Sequence, residues 1–166
     1  MSRRRATESD PAPSSPHQAF EMSRHLMALA TSARQRVRDR LSERGHELGP
    51  ASTQVFPNLP REGLGMTELA ARLRITLQRT GQLVQQLEEA GYVERVPDEK
   101  DGRAKRVVYS RKGRRLLADI DEAMDELSEE LAAVVGKRRF DQLCGTLEEL
   151  DRALNGEDAP LRLFGG

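Results

Sequence analysis

The fold of this chain is decided by the stretch Tyr92-Val93-Glu94-Arg95-Val96-Pro97-Asp98-Glu99-Lys100-Asp101-Gly102-Arg103-Ala104-Lys105-Arg106-Val107-Val108-Tyr109. Two short β-prone runs, Tyr92–Val96 and Val107–Ser110, flank a charged loop that contains a glycine. This pattern predicts a β-hairpin with a basic tip. A helix-prone segment, 76–90, comes directly before it, so the sequence predicts a helix followed at once by a basic hairpin.

The composition favours a soluble, helix-rich protein. The chain has 166 residues, of which 37% are hydrophobic and 33% charged, and it lacks tryptophan. No run of about 18 apolar residues occurs, and the basic start, 1–5, precedes no signal-peptide core. Cys144 is the only cysteine, so an intrachain disulfide is excluded. We therefore expect a cytoplasmic protein with no membrane partner.

The formal net charge of zero hides an asymmetry along the chain. Residues 61–115 carry 13 basic and 8 acidic side chains, whereas residues 116–166 carry 5 and 13. A basic middle that contains the hairpin favours a polyanionic partner. Charge alone would also fit a solvated helix surface. The motifs are therefore needed to decide between this surface and a polyanion-binding one.

The N-terminal part of the chain reads as a tail and two helices. Residues 1–16 have the composition of a disordered tail. Apolar residues at helical spacing predict a long helix from His17 to Arg44. Pro50 can open a second, shorter helix through Phe56, and Pro57 limits its length.

The next segment has the pattern of a helix-turn-helix. Thr67 is a suitable N-cap for a helix that ends near Leu73, and Thr76 is one for a helix that ends at Ala90. The turn between them is Arg74-Ile75. The second helix has an inward apolar stripe, which consists of Thr80, Leu83, Val84 and Leu87.

Two further helices follow the hairpin. The first runs from Arg111 to Val135, and Gly136 ends it. The last has one apolar stripe, made of Phe140, Leu143, Cys144, Leu147, Leu150 and Leu154. Because the terminal helices have more apolar surface than one subunit can cover, we expect a homodimer.

The outer face of the helix at 76–90 carries the side chains that read bases. Glutamine can pair with an adenine edge and arginine with a guanine edge in the major groove. Gln78, Arg79 and Gln82 lie in the first two turns of this helix. In the hairpin, Arg103 can enter a narrow minor groove, with Asp101 placed to orient its guanidinium. Double-stranded DNA is the predicted partner.

As a set, these motifs resemble the MarR-type winged-helix transcriptional regulators. The resemblance covers about residues 18–155 and is strongest in 66–113. It rests on the runs Met66-Thr67-Glu68-Leu69-Ala70, Leu83-Val84-x-x-Leu87-Glu88-x-x-Gly91-Tyr92-Val93-Glu94-Arg95, Pro97-Asp98-x-x-Asp101-Gly102-Arg103 and Lys112-Gly113. It implies a mainly α fold with a small β wing, in which a winged helix-turn-helix is flanked by long dimerisation helices.

The resemblance also implies a function. Such a protein would bind a palindromic operator as a homodimer, act as a repressor and be released by a small aromatic or phenolic effector. The implied organisation is a tail over 1–16, a dimerisation helix over 17–48, a DNA-binding domain over 49–113 and dimerisation helices with a tail over 114–166. Thr67 and Thr76 would lie near phosphates. The predicted DNA-binding residues are Thr67, Arg74, Thr76, Leu77, Gln78, Arg79, Gln82, Asp101, Arg103, Lys105 and Arg106.

Three departures from the family pattern leave alternatives open. Arg74 occupies a turn position where glycine is usual, Leu77 replaces a polar residue, and Pro57 interrupts a helix that usually lines the ligand pocket. A dimeric interaction module with weakened or lost DNA binding is one alternative. A redox-responsive regulator that acts through Cys144 is another.

The sequence lacks the patterns of catalysis or metal binding. It contains no nucleophile–base pair and no phosphate-binding glycine loop, and its three histidines show no metal spacing. We therefore predict that the protein is not an enzyme and has no cofactor.

Overall fold

The computed structural model describes residues 16–98 and 104–156. This part of the chain is mainly α-helical with one small sheet, which confirms the predicted fold class. Its elements are α1 (Pro16–Glu43), α2 (Pro50–Val55), a 3-10 turn (Phe56–Asn58), β1 (Leu64–Gly65), α3 (Met66–Leu73), α4 (Leu77–Glu89), β2 (Val93–Pro97), β3 (Lys105–Tyr109), α5 (Arg111–Val135) and α6 (Lys137–Asn155). The chain divides into two compact units, and the boundary between them falls inside α1, at Ala33 and Arg34.

The predicted hairpin forms the larger part of an antiparallel sheet with the strand order β1-β3-β2. Arg95 of β2 lies opposite Val107 of β3, and Val96 lies opposite Arg106. The strands are shifted from the predicted runs, because the ladder includes Pro97 and Lys105 but not Tyr92 or Ser110. β1, which pairs with β3, was missed because it is only two residues long.

The helix-turn-helix is confirmed, with its core where the sequence predicted it. Thr80, Leu83, Val84 and Leu87 of α4 are all buried, and they form the inward face of that helix. The Thr80 hydroxyl donates to the carbonyl oxygen of Thr76 over 3.0 Å, so its burial leaves no unpaired donor. Leu69 and Ala70 of α3 are buried as well.

One of the two predicted threonine caps is confirmed and the other is wrong. The Thr76 hydroxyl oxygen accepts from the backbone N–H of Arg79 over 3.2 Å, as an N-cap does. Thr67 instead lies inside α3, whose N-cap is Gly65. The reason is that β1 ends at Gly65, so the chain turns directly from the sheet into the helix.

The first helix after the sheet has the predicted limits. α5 runs from Arg111 to Val135, and the Ser110 hydroxyl caps it by accepting from the backbone N–H of Gly113 over 3.0 Å. Ser110 had been assigned to a strand. Helix α2 ends at Val55, one residue before the predicted end at Phe56, and Pro57 lies in the 3-10 turn that follows.

The terminal helices leave apolar side chains uncovered within the single chain. α6 has no buried residue, and Leu143, Leu150 and Leu154 of its predicted stripe are exposed. In the N-terminal unit, Phe20 and Leu29 of α1 are also exposed, although they belong to the apolar face predicted from the sequence. These side chains are therefore exposed in the part of the chain that the structure describes.

Candidate nucleic-acid interface

The turn between α3 and α4 is made by an arginine in a glycine conformation. Arg74 has φ 55° and ψ 38°, the left-handed region, and it is the only described residue other than glycine with a positive φ. Its backbone N–H donates to Ala71, and that of Ile75 donates to Ala70, which closes the end of α3. The departure noted in the sequence therefore costs backbone energy, because a Cβ is disfavoured in this region.

The start of α4 presents its polar side chains to solvent. Gln78, Arg79 and Gln82 are exposed, and the Arg79 guanidinium donates to the side-chain oxygen of Gln82 over 3.1 Å. Leu77 is 52% exposed at the first position of the helix. The structure thus brings the predicted base-reading residues together on one accessible face, next to the cap at Thr76.

Helix α4 has an N-terminus suited to an anion. Its first turn contains no acidic residue. The unpaired N–H groups and the helix dipole make such an end attractive to negative charge, including phosphate. Thr67, the other residue expected near phosphates, is exposed in the first turn of α3.

The wing holds the remaining predicted residues. Asp101 and Arg103 lie outside the described residues, so their pairing and their place at the wing tip stay predictions. Lys105 is exposed at the start of β3. Arg106, by contrast, is engaged within the chain: its Nη2 atom donates to the carbonyl oxygens of Gly63 over 3.0 Å and of Glu62 over 3.3 Å.

Arg95 joins the wing to α4, and sequence reasoning did not select it. Its Nη2 atom donates to the Gly81 carbonyl oxygen over 2.9 Å, and its Nε atom lies 3.3 Å from a carboxylate oxygen of Glu88. The other Glu88 oxygen accepts from the Arg95 backbone N–H over 3.1 Å. An acidic residue in the last turn of a helix, followed by an arginine in the next strand, was the available signal.

A buried histidine lies beneath the wing. His46 is 4% exposed, and its Nε2 atom is 2.6 Å from a carboxylate oxygen of Asp119 in α5. Its Nδ1 atom is 3.4 Å from the hydroxyl of Tyr92, whose pKa is raised by burial. The ammonium of Lys112 stands 4.3 Å from the centre of the Tyr92 ring. These contacts fasten the base of the wing to α5.

Arginines in the second half of α1 pair with glutamates of α5. The partners form a ladder: Arg36 with Glu130, Arg40 with Glu126 and Glu130, and Arg44 with Glu122 and Glu126. Both series recur every four residues, which is the spacing of one helix face. The hydrogen bond from Arg40, followed by the charge of Arg36, holds the pKa of Glu130 below its ordinary value.

Comparison with known proteins shows which family model and which solved structures this chain resembles. The model of the MarR family matches residues 50–104, which run from α2 into the hairpin. The transcriptional regulator Tm0710 from Thermotoga maritima is similar at 27% identity and a TM-score of 0.61, over 82% of this chain and 94% of that one. Residues 50–104 of the chain therefore match the MarR family, and its fold is similar to that of a transcriptional regulator.

Two further solved structures share the fold of this chain. A MarR family protein from Bacillus stearothermophilus is 23% identical, with a TM-score of 0.63, over 85% of this chain and 98% of that one. The transcriptional repressor CouR, solved bound to a 23-mer DNA duplex, is 21% identical, with a TM-score of 0.60, over 82% and 96%. No curated protein sequence matches the chain. The fold of the described residues is therefore one that solved transcriptional regulators have.

Other features of the chain bear on the alternative functions. Cys144, on which the redox-responsive alternative depends, is exposed on α6. The described residues contain no group of three or more potential metal ligands. Over the same residues, no helix is both long and apolar enough to cross a membrane.

Proposed function

We propose that this chain is a repressor of the MarR type that binds a palindromic operator as a homodimer. The observation that carries the proposal is the exposed start of α4, where Gln78, Arg79 and Gln82 stand side by side after a capped N-terminus. Side chains of these types can make paired hydrogen bonds to adenine and guanine edges in the major groove. The α4 helix is therefore the recognition helix of the proposal.

Residues around the recognition helix would hold the backbone of the DNA. Thr67 and Thr76 lie at the starts of α3 and α4 and would face phosphates, with Arg74 between the two helices. Leu77 is exposed and could contact a thymine methyl group. Lys105 of the wing would add one phosphate-region cation, whereas the contacts of Arg106 inside the chain indicate another task for that residue.

The proposal assigns roles to two residues at the tip of the wing from the sequence alone. Arg103 would enter the minor groove with Asp101 holding its guanidinium, as the family resemblance implies. The position of the wing supports this, because Arg95 ties β2 to the recognition helix and fixes the base of the tip. Removing the Arg103 charge should weaken operator binding and lower the salt slope by about one unit.

The uncovered apolar faces support dimerisation. Leu143, Leu150 and Leu154 recur at helical spacing on α6, and all are exposed in the single chain. A second copy would bury them in a symmetric interface. In this proposal residues 17–48 and 114–166 form the dimer and residues 49–113 read DNA. Two recognition helices would then reach half-sites about 34 Å apart.

Release by an effector is the remaining part of the proposal. The family resemblance implies a small aromatic or phenolic ligand in the cytoplasm. Helix α2 ends at Val55, and Pro57 lies in a 3-10 turn. Only a short helix is therefore present to line a ligand pocket. A thermal-shift screen of phenolic compounds tests the effector separately from DNA binding.

A second candidate is a dimeric interaction module without DNA binding. It is favoured by the strained Arg74 turn and by the exposed Leu77 at the position that would meet the DNA. The two candidates separate in a gel-shift titration of the purified chain against random-sequence duplexes at low and high salt. Binding that weakens steeply with salt supports the repressor. A dimer that binds no duplex at low salt supports the interaction module.

A further inference from the structure

Lys105 and Arg106 are adjacent cations with different surroundings. Successive side chains of a strand point to opposite faces of a sheet. Lys105 is exposed. Arg106 packs against the loop at 60–63, where Nη2 donates to two backbone carbonyl oxygens, and its Nη1 lies 3.8 Å from a carboxylate oxygen of Asp98. The sequence alone had placed both residues on DNA.

The loop that Arg106 holds leads directly into the helix-turn-helix. Gly63 is followed by β1, whose second residue, Gly65, is the N-cap of α3. The loop lies close to β3: a Cβ added to Gly63, which has φ +82°, would stand 2.5 Å from the Val107 carbonyl oxygen. The backbone N–H of Gly63 donates to Pro60 over 2.9 Å, so the loop is a closed turn. Arg106 thus bridges this turn and the wing.

The Asp98 contact lies at the base of the wing tip. Asp98 follows β2, and its backbone N–H donates to the Ala104 carbonyl oxygen over 3.0 Å, which closes the hairpin below the tip. One guanidinium therefore meets the loop before α3 on one side and the end of the wing ladder on the other. A guanidinium has a planar fork of five donors, which suits this bridging, whereas lysine presents a single flexible ammonium.

We propose that Arg106 is a positioning residue that fixes the wing against the helix-turn-helix, and that it does not pair with a DNA phosphate. The inference rests on the proposed DNA-binding function. Because the positive charge of Arg106 faces Asp98 and its donors face carbonyl oxygens, it contributes little to the release of counterions from DNA. Loss of the Arg106 side chain should instead make the position of the wing relative to α4 less fixed when both contact the duplex.

The test compares Arg106→Gln with Lys105→Gln, since each removes one positive charge from neighbouring positions. Operator and random-duplex affinities are titrated over a series of salt concentrations. Lys105→Gln should lower the salt slope by about one unit. Arg106→Gln should leave the slope unchanged, weaken operator binding about three- to tenfold and weaken random-duplex binding less. Arg106→Lys, which keeps the charge, should not restore operator affinity.

A second readout needs no DNA. Amide hydrogen exchange of Gly63, Leu64 and Gly65 should be faster in Arg106→Gln and unchanged in Lys105→Gln, because Arg106 is the one of these two cations whose side chain donates to the loop. Unchanged exchange in Arg106→Gln would overturn the proposal, as would a salt slope lowered as much as in Lys105→Gln. If the wild-type chain bound no duplex, the proposed function would fail, while the exchange experiment would still decide whether Arg106 holds the loop.

Discussion

The guanidinium of Arg95 donates to the carbonyl oxygen of Gly81, 2.9 Å away, and so links β2 to the middle of α4. The acceptor is a backbone atom, so the contact does not depend on the side chain at position 81. A Cβ added to Gly81 would meet nothing within 4 Å among the described residues. Packing therefore gives no reason for a glycine inside this helix.

Replacing Gly81 by alanine should stabilise the protein. We expect a gain of about 1 kcal/mol in the free energy of unfolding, since glycine inside a helix costs about that amount relative to alanine. Urea denaturation measures it. The matched control is Gly113→Ala in α5, where the added Cβ would lie 2.0 Å from the Tyr92 carbonyl oxygen and must destabilise. A loss of stability in Gly81→Ala would contradict the open surroundings of this glycine.

Arg74→Gly should relieve the strained turn. Glycine adopts the left-handed conformation without the steric cost that a Cβ brings, so we expect a gain of about 1 kcal/mol in unfolding free energy. Arg74→Ala is the control, because it removes the same charge and keeps the strain. If Arg74 contacts a phosphate, both variants should lower the salt slope of DNA binding, and only the glycine variant should be more stable.

The ladder of ion pairs between α1 and α5 should make the stability of the fold depend on pH. The pKa of Glu130 is lowered in the folded chain, first by the hydrogen bond from Arg40. Its ion pairs therefore stabilise the fold above its ordinary pKa of 4.5, and this stabilisation is lost as pH falls through the lowered value. Glu130→Gln should reduce the fall in melting temperature below about pH 4.5. The neighbouring Glu129→Gln, at an exposed position, should keep the wild-type profile.

A charge in the apolar stripe of α6 should separate the dimer. Leu150→Glu places a carboxylate in a face that the proposal buries, and an unpaired buried charge is strongly unfavourable. Sedimentation equilibrium should then give the mass of one chain, whereas the wild type should give the mass of two. Gln142→Glu adds the same charge at an exposed polar position of α6 and should stay dimeric. A Leu150→Glu variant that remains dimeric would move the interface away from this stripe.

The sequence predicted the elements whose signal is local. The stripe from Thr80 to Leu87 repeats with the helical period, so it identified both α4 and its buried face. The limits of α5 were predicted because a glycine ends it. Ser110 was misassigned for a related reason: it follows a β-prone run, and only the structure shows its hydroxyl turned to the start of α5.

The parts that the sequence could not predict depend on partners distant along the chain. β1 has two residues and exists only through its pairing with Val107 and Arg106. Lys105 and Arg106 are both basic residues of one strand, so the sequence does not distinguish them. The carbonyl oxygens that distinguish them belong to the loop at 60–63. His46 gave no signal either, because its partner Asp119 lies far along the chain in α5.

The most direct test of DNA reading by α4 is selection of binding sites from random duplexes. The wild-type chain should select a palindrome with half-sites about one helical turn apart. Gln78→Ala and Arg79→Ala should each relax the preference at specific positions within a half-site, because each removes a base contact of about 1–3 kcal/mol. If both variants select the same sequence as the wild type with the same stringency, α4 does not read the bases and the account is wrong.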